Sequence, residues 1–241
     1  MQWTDEGIVL SARKHGEASV IVTLLTLAHG RHAGLVRGGA GRRARGLYEP
    51  GNKVSATWNA RLEDHLGSYR CEMIEANAAA ILHHPLRLAG LSAICAVSES
   101  ALPEREAHPA LYDILLKFIQ SLAGDGWIGE YVLWELALLR ELGFGLDLSA
   151  CAATGDTDQL DFVSPKSGRA VSRSAGDPYK DKLLLLPSFL NDSAKPYLEP
   201  SKKDITDGLT LTGYFLDRHV FIHNRNGAPN ARTRFVDRLH Q

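Results

Sequence analysis

The stretch GIVLSARKHGEASVIVTLLTLAHGRHAGLVRGG, residues 7–39, decides the fold because it contains three strand-like runs in succession. Each run is rich in Val, Ile, Leu and Thr, and Gly16 and Gly30 stand where the chain must turn. Two more runs of this kind follow at residues 52–61 and 67–76. Five short strands in about 75 residues predict a small closed or nearly closed β-barrel. An OB-fold has that strand count, although periodicity alone does not separate it from an SH3-like barrel.

The pattern after Asn77 is helical. Residues 85–102 begin with proline and are rich in Ala and Leu, 108–122 place apolar residues on one helical face, and 128–145 are apolar almost all round. The chain therefore has an α+β pattern. It predicts a small β-barrel domain at 1–80, followed by an α-helical domain at 81–241.

Residues 146–200 form an irregular insert within the predicted helical domain, because prolines and glycines interrupt every periodic pattern there. A loop of that length in a compact domain is expected to be functional or to contain small structure of its own. The next helix is expected to begin at Ser201, which forms a capping-box pattern with Asp204 three residues later.

Composition limits the class of protein. The chain has 241 residues, 44% hydrophobic and 23% charged, which is typical of a soluble globular protein. Its three cysteines are scattered, so no disulfide framework and a reducing, cytoplasmic environment are expected. The first residues contain two acids and no apolar core, so the sequence predicts no secretory signal. No apolar run is long enough to predict a membrane helix.

Charge is distributed unevenly, although the formal net charge is only −1. No acid occurs between Ala18 and Tyr48, a segment that we call the acid-free window. It contains five arginines: Arg31, Arg37, Arg42, Arg43 and Arg45. Guanidinium groups bind phosphate in bidentate, permanently charged contacts, and glycines let a backbone approach closely. The window therefore predicts contact with nucleic acid.

Aromatic residues follow the window at Tyr48, Trp58 and Tyr69. A basic groove with exposed aromatic rings suits single-stranded nucleic acid, because every base has a face that can stack. The alternative is that the basic loop is merely solvated and that the three aromatic rings are buried in the barrel core.

The C-terminal region repeats the pattern more weakly. Between Arg218 and Val236 there is no acid, and the region contains Arg225, Arg232 and Arg234. These arginines are candidates for a second DNA-contact surface. Their alternative role is to complement the negative end of a helix dipole.

Metal binding and catalysis find little support in the sequence. Cys151 is the one potential ligand in a zinc-knuckle-like stretch, where four ligands would be needed, so no metal or other cofactor is expected. No phosphate loop, nucleophile elbow or zinc-protease motif occurs. The Ser-x-x-K match at Ser11–Lys14 and the acids at 156–161 are weak signals, and we expect a protein that is not an enzyme.

The sequence resembles the RecO family of bacterial recombination mediators over essentially its whole length. The likeness lies in residues 7–39 quoted above and in LYEPGNKVSATWNARLEDHLGSYRCE, residues 47–72. It continues in WELALLRELGFGLDLSACAATG, residues 134–155, and VSPKSGRAVSRSAGDPY, residues 163–179. The resemblance implies that residues 1–80 form an OB-fold nucleic-acid-binding domain and that residues 81–241 form an α-helical domain.

The resemblance also implies a role in the RecFOR pathway of DNA repair and recombination. Family members bind single- and double-stranded DNA, anneal complementary strands and, with RecR, help load RecA onto single strands coated by SSB. The family's basic surface on the OB-fold would fall on Arg31, Arg37, Arg42, Arg43 and Arg45, with Arg13 and Lys14 as weaker candidates.

Two further features of the family bear on this chain. In the family, the helical domain binds the acidic tail of SSB. The resemblance does not assign this contact to particular residues of this chain. Some members hold zinc through four cysteines in the stretch that corresponds to 151–174; only Cys151 is present here, so zinc is not expected. The expected location is the bacterial cytoplasm, with nucleoid association during repair.

Two other functions are compatible with the residues alone. One is an RNA-binding OB-fold adaptor, which would prefer RNA over a matched DNA strand because only RNA has the 2′-hydroxyl. The other is an enzyme whose motif is not recognised, in which case turnover would depend on Ser11 or on the acids at 156–161.

Overall fold

The computed structural model describes residues 1–191, 200–224 and 227–240, apart from the side chains of Arg43 and His240. The chain divides into two compact units. The first comprises Met1–Ala123 and Pro229–Phe235, and the second comprises Gly124–Ala228 and Val236–Gln241. No described helix combines the length and apolarity that crossing a membrane requires.

The first unit is built on a closed five-stranded barrel. Its strands are β1 (Gln2–His15), β2 (Ser19–Thr26), β3 (Gly30–Val36), β4 (Lys53–Asn59) and β5 (Ser68–Glu75). Their order around the barrel is β1-β2-β3-β5-β4, antiparallel except for the parallel pair β3–β5. The parallel closure is that of a Greek-key OB barrel, so the expected OB-fold followed by helices is confirmed.

Alternation of side chains explains why these segments form a barrel. Along β3 every second residue is buried, and β4 has the same alternation. The inward residues form one cluster that includes Val22, Leu24, Val54 and Trp58. Gly30 permits the turn into β3, because its φ is +63° and a Cβ there would lie 1.8 Å from the carbonyl oxygen of Glu106.

Four helices belong to the same unit. They are α1 (Arg42–Arg45), which continues as a 3-10 turn over Gly46–Tyr48, α2 (Asn77–Ala80), α3 (Pro85–Ala101) and α4 (Pro109–Ser121). Proline begins α3 and α4, where its missing N–H costs no helical hydrogen bond. Contacts thus group α3 and α4 with the barrel, while the domain boundary predicted near residue 80 stays a prediction.

A network of hydrogen bonds around Glu99 joins α3 to the barrel. The carboxylate oxygen Oε1 of Glu99 accepts hydrogen bonds from Ser11 Oγ at 2.7 Å and Thr23 Oγ1 at 3.1 Å. It also pairs with Arg13 Nη2 at 2.8 Å. Because one oxygen collects three donors from two strands, α3 is held in a defined position on β1 and β2.

The second unit contains the long helices α5 (Trp127–Glu141) and α7 (Lys202–Phe215), which pack together. Helix α7 begins with the predicted capping box, in which Ser201 and Asp204 exchange hydrogen bonds. A π-helical segment, Leu216–Val220, follows α7. The last described helix, α8 (Asn230–His240), is divided between the two units after Phe235.

The predicted irregular insert has small structure of its own. It contains a three-stranded sheet of order β7-β6-β8, formed by β6 (Leu160–Val163), β7 (Ala170–Ser172) and β8 (Leu184–Leu185). The short helix α6 (Arg173–Gly176) follows β7. Residues 192–199 of the insert lie outside the described residues.

Candidate nucleic-acid interface

The arginines of the acid-free window are concentrated in the connection between β3 and β4, residues 37–48, which we call the basic loop. Arg37 follows β3 directly, and Arg42 and Arg45 lie on the single turn of α1. All three side chains are exposed, and none forms a hydrogen bond or an ion pair with another described residue. Three guanidinium groups of one loop are therefore available to an anion.

The structure brings Lys14 to the same region. Lys14, near the end of β1, and Arg45 line one cavity of about 390 Å³, which we call the loop cavity. Its wall includes Tyr48, and Glu49 is the one acid in its lining. The proximity of Lys14 to Arg45 was not evident from the sequence, because strands β2 and β3 separate the two residues along the chain.

Arg31 is used differently from the other predicted contacts. Its side chain is 18% exposed. Nε donates to the carbonyl oxygen of Leu102 at 2.7 Å, and Nη1 lies 3.3 Å from a carboxylate oxygen of Glu104. Arg31 therefore stabilises the link between β3 and the segment after α3, and it is less available to DNA than the sequence suggested.

Arg13 is intermediate between these cases. Its guanidinium pairs with Glu99, yet the side chain is 70% exposed. An exposed ion pair of this kind is weak and can be exchanged for a phosphate. Arg13 thus remains a secondary candidate.

The aromatic residues after the window are buried, as the alternative interpretation held. Trp58 is 1% exposed, and its Nε1 donates to the carbonyl oxygen of Leu66 at 3.0 Å. Tyr69 and Tyr48 are each 6% exposed. These rings build the barrel core, so base stacking on exposed aromatic rings of this region is not supported.

A histidine belongs to the same buried cluster. His32 Nδ1 lies 3.0 Å from the hydroxyl of Tyr69, and its ring packs edge-on against Trp58. Burial and, to a smaller extent, the nearby charge of Arg105 lower the pKa of His32 to about 4. His32 is therefore neutral near pH 7 and contributes no positive charge to a nucleic-acid surface.

Two of the three arginines of the second predicted surface lie among the described residues. Arg232 is 7% exposed, and only Arg234 of the pair on α8 is exposed. Arg225 lies outside the described residues. Of the two described members, Arg234 alone is therefore an exposed cation, and the second DNA-contact surface stays a prediction.

The zinc-knuckle-like stretch is organised by hydrogen bonds. The backbone N–H of Ser172 donates to Cys151 Sγ at 3.2 Å, and the hydroxyls of Ser172 and Ser174 are 3.3 Å apart. Burial raises the pKa of the Cys151 thiol, but hydrogen bonds from Ser172 and Thr154 outweigh it and lower the pKa to about 6. Within the described ranges, no group of three or more His, Cys, Asp or Glu side chains could hold a metal ion.

Sequence reasoning missed one cation near the basic loop. Arg70 on β5 is exposed and lines a cavity together with Arg37. A lone arginine in a strand, two residues before Glu72, carries no charge pattern that would single it out. Only the barrel closure, which brings β3 beside β5, reveals it.

Comparison with known proteins identifies the family. The family model described as Recombination protein O N terminal matches residues 1–77, and that described as Recombination protein O C terminal matches residues 82–227. A protein of Rhodospirillum centenum named DNA repair protein RecO is 54% identical over 240 residues, covering 99% of this chain and 94% of that protein.

Proteins of the same name from other bacteria match this chain over a similar share of its length. The one from Rhodospirillum rubrum is 49% identical over 245 residues, covering 99% of this chain and 96% of that protein. The one from Methylorubrum populi is 49% identical over 240 residues, covering 98% and 97%. The chain belongs to the RecO family.

Proposed function

We propose that this protein is a DNA-binding recombination mediator that acts in bacterial DNA repair without catalytic turnover. It binds single- and double-stranded DNA and anneals complementary strands. Together with RecR, it helps load RecA onto single-stranded DNA that is coated by SSB. Its place is the bacterial cytoplasm, at the nucleoid during repair.

One observation carries the DNA-binding part of the proposal. An OB barrel presents Arg37, Arg42 and Arg45 on one loop, with their guanidinium groups exposed and unpaired among the described residues. Unpaired guanidinium groups can contact phosphates without first breaking internal ion pairs. Family membership supports the assignment to repair, because the relatives are named DNA repair proteins.

The physical mode of binding follows from these contacts. Arginine–phosphate contacts release counterions from DNA, so affinity falls steeply as salt rises. Phosphate contacts carry no sequence information, and no Trp, Tyr or Phe side chain within residues 1–76 is exposed. We therefore expect binding with little base preference, which suits a protein that must anneal any complementary pair.

The direct test is the anisotropy of a labelled single strand, titrated with the protein at increasing salt. The logarithm of affinity should fall with the logarithm of salt with a slope of about −2 or steeper, because each phosphate contact to a single strand contributes about −0.7. Annealing of complementary strands, each coated with SSB, should be faster with the protein than without it. No binding at low salt would refute the proposal.

An RNA-binding adaptor is the second candidate, because an OB barrel with a basic loop also accepts RNA. Competition between DNA and RNA strands of equal sequence separates the two functions. Equal competition or a preference for DNA supports the mediator. A strong preference for RNA, with no acceleration of DNA annealing, would favour the adaptor.

A further inference from the structure

The barrel has an opening between two of its strands. In the described part of the chain, β3 and β5 pair only through Leu35 and Ser68. Beyond that point β3 ends at Val36, whereas β5 continues to Glu75. A cavity of about 870 Å³ lies there, and we call it the seam cavity.

Two arginines flank the seam cavity. Arg37 comes from the end of β3 and Arg70 from β5, and both line the cavity. Both side chains are exposed, and neither forms a hydrogen bond or an ion pair with another described residue. Two unpaired guanidinium groups at one cavity are an arrangement that favours a phosphate over a neutral ligand.

The remaining polar lining suits a nucleotide. Gln2 and Asn59 contribute amides, and Thr57 and Ser68 contribute hydroxyls. Amides and hydroxyls can both donate and accept, so they can contact the edge of any base as well as sugar oxygens. The cavity volume lies within the range of small-molecule sites, so a nucleotide unit of a strand fits in it.

The seam cavity is adjacent to the loop cavity. Tyr48 lines both, so the two cavities share one wall. Arg37 is also the first residue of the basic loop, which leads to Arg42 and Arg45. Lys14 and Arg45 at the loop cavity and Arg37 and Arg70 at the seam cavity are thus separated by the shared wall at Tyr48.

We infer that the seam cavity is a subsite for single-stranded DNA, in which Arg37 and Arg70 hold a phosphate and the amide and hydroxyl groups contact the adjacent nucleotide. This inference rests on the proposed function and extends it from the basic loop to β5. The bound strand runs from the loop cavity past Tyr48 to Arg70. A paired duplex does not enter, because its bases are stacked and its nucleotides are not free to separate.

Glu72 limits the affinity of this subsite. It is the one acid in the cavity lining, and it lies two residues from Arg70, on the same face of β5. Its carboxylate repels a phosphate that Arg70 attracts. Removing the charge of Arg70 should therefore lower the affinity for DNA, and removing the charge of Glu72 should raise it.

The experiment compares Arg70→Gln with Lys117→Gln, which removes the same charge from an exposed position on α4 that lines neither cavity. For Arg70→Gln, single-strand affinity should fall by about fivefold and the salt slope should become shallower by about 0.7, because one charge-assisted phosphate contact is lost. Lys117→Gln should bind as the unmodified protein does. Glu72→Gln should bind about twofold more tightly.

A second measurement does not depend on any variant. A single strand containing 4-thiothymidine is cross-linked to the unmodified protein by light, and the attached peptides are identified by mass spectrometry. Cross-links should occur within residues 68–75. The same labelled strand, paired with its complement in a duplex, should give no cross-link to residues 68–75.

The outcomes separate this inference from the proposed function. If Arg70→Gln binds like Lys117→Gln and no cross-link reaches β5, the subsite is refuted. The proposed function then still stands, provided that substitution of the basic-loop arginines weakens binding. If the unmodified protein does not bind DNA at low salt, both are refuted.

Discussion

Strand β3 and the basic loop are neighbours in sequence and share the acid-free window, yet their arginines have different tasks. Arg31 on β3 donates to Leu102 and pairs with Glu104, so it stabilises the fold. Arg37, Arg42 and Arg45 form no such bonds among the described residues. Segregated charge in a sequence therefore marks a region, whereas tertiary contacts decide which guanidinium groups in that region remain available.

The barrel and the basic loop also differ in where their side chains lie: the barrel's core rings are buried, and the loop's described cations are exposed. The barrel side of the region contains Trp58, Tyr69 and His32, and the His32 ring contacts both other rings inside the core. The loop side contributes mainly glycines and exposed cations. The following predictions test this division between residues that stabilise the barrel and residues that bind.

The largest effect is expected for Trp58→Ala. Trp58 is buried and donates a hydrogen bond to Leu66, so its truncation should lower the free energy of unfolding by about 3–5 kcal/mol. Urea denaturation measures this loss, and Trp58→Phe should lose less. Unchanged stability together with weaker DNA binding would mean that Trp58 is a stacking residue and not a core residue.

The next effect is a pH dependence that arises from His32. Its pKa is about 4 in the folded chain and 6.5 in the unfolded chain, so between these values the unfolded state binds a proton that the folded state does not. The free energy of unfolding should therefore decrease as pH falls from 6.5 to 4, by roughly 3 kcal/mol from this residue. His32→Gln should remove that part of the decrease, as measured by urea unfolding at several pH values.

His15→Gln is the control for that measurement, since His15 is exposed at the end of β1. It should retain the full pH dependence of the unmodified protein. An equally steep dependence in His32→Gln would contradict the assignment.

Substitution of the basic loop should affect binding and not stability. For Arg42→Ala, Arg43→Ala and Arg45→Ala combined, single-strand affinity should fall by about 30-fold and the salt slope should become shallower by about 2. All DNA sequences should be affected alike. Unfolding in urea should change little, because Arg42 and Arg45 form no internal bonds in the described structure.

The matched control removes three exposed lysines outside the basic loop, namely Lys117, Lys166 and Lys180. It lowers the net charge equally and should keep most of the affinity. An unchanged salt slope in the arginine variant would exclude the basic loop as the DNA contact.

The smallest effects are expected for Arg31→Ala and, smaller still, for Arg13→Ala. Loss of its bonds to Leu102 and Glu104 should lower the free energy of unfolding by about 1–2 kcal/mol and leave the salt slope nearly unchanged. Arg13→Ala, which loses only an exposed ion pair, should cost less than about 1 kcal/mol. A shallower salt slope without loss of stability would place Arg31 among the DNA contacts.

Local pattern predicted much of this architecture. The alternation of residues in β3 and β4, the turns at Gly16 and Gly30, and the cap at Ser201 each depend on residues close in sequence. The basic loop could be located for the same reason, because five arginines and no acid lie within one window.

Long-range contacts could not be predicted in this way. The three donors that meet at Glu99 come from residues at least 76 positions away along the chain, and the bond from Arg31 to Leu102 spans 71 positions. The approach of Arg37 to Arg70 depends on barrel closure through the β3–β5 pair. A sequence pattern records charge and periodicity, but it does not record which distant carbonyl or carboxylate a side chain reaches.

The opening between β3 and β5 also bears on self-association. Strand β5 beyond Ser68 pairs with β4 in the described structure, so its other side is an edge that another chain could extend into a larger sheet. Arg70 and Glu72 lie on that strand, and charged side chains on an edge oppose such pairing. Arg70, which we assign to DNA recognition, and Glu72, which opposes it, therefore both keep this edge from pairing with another chain, and neutralising both together should make the protein less soluble.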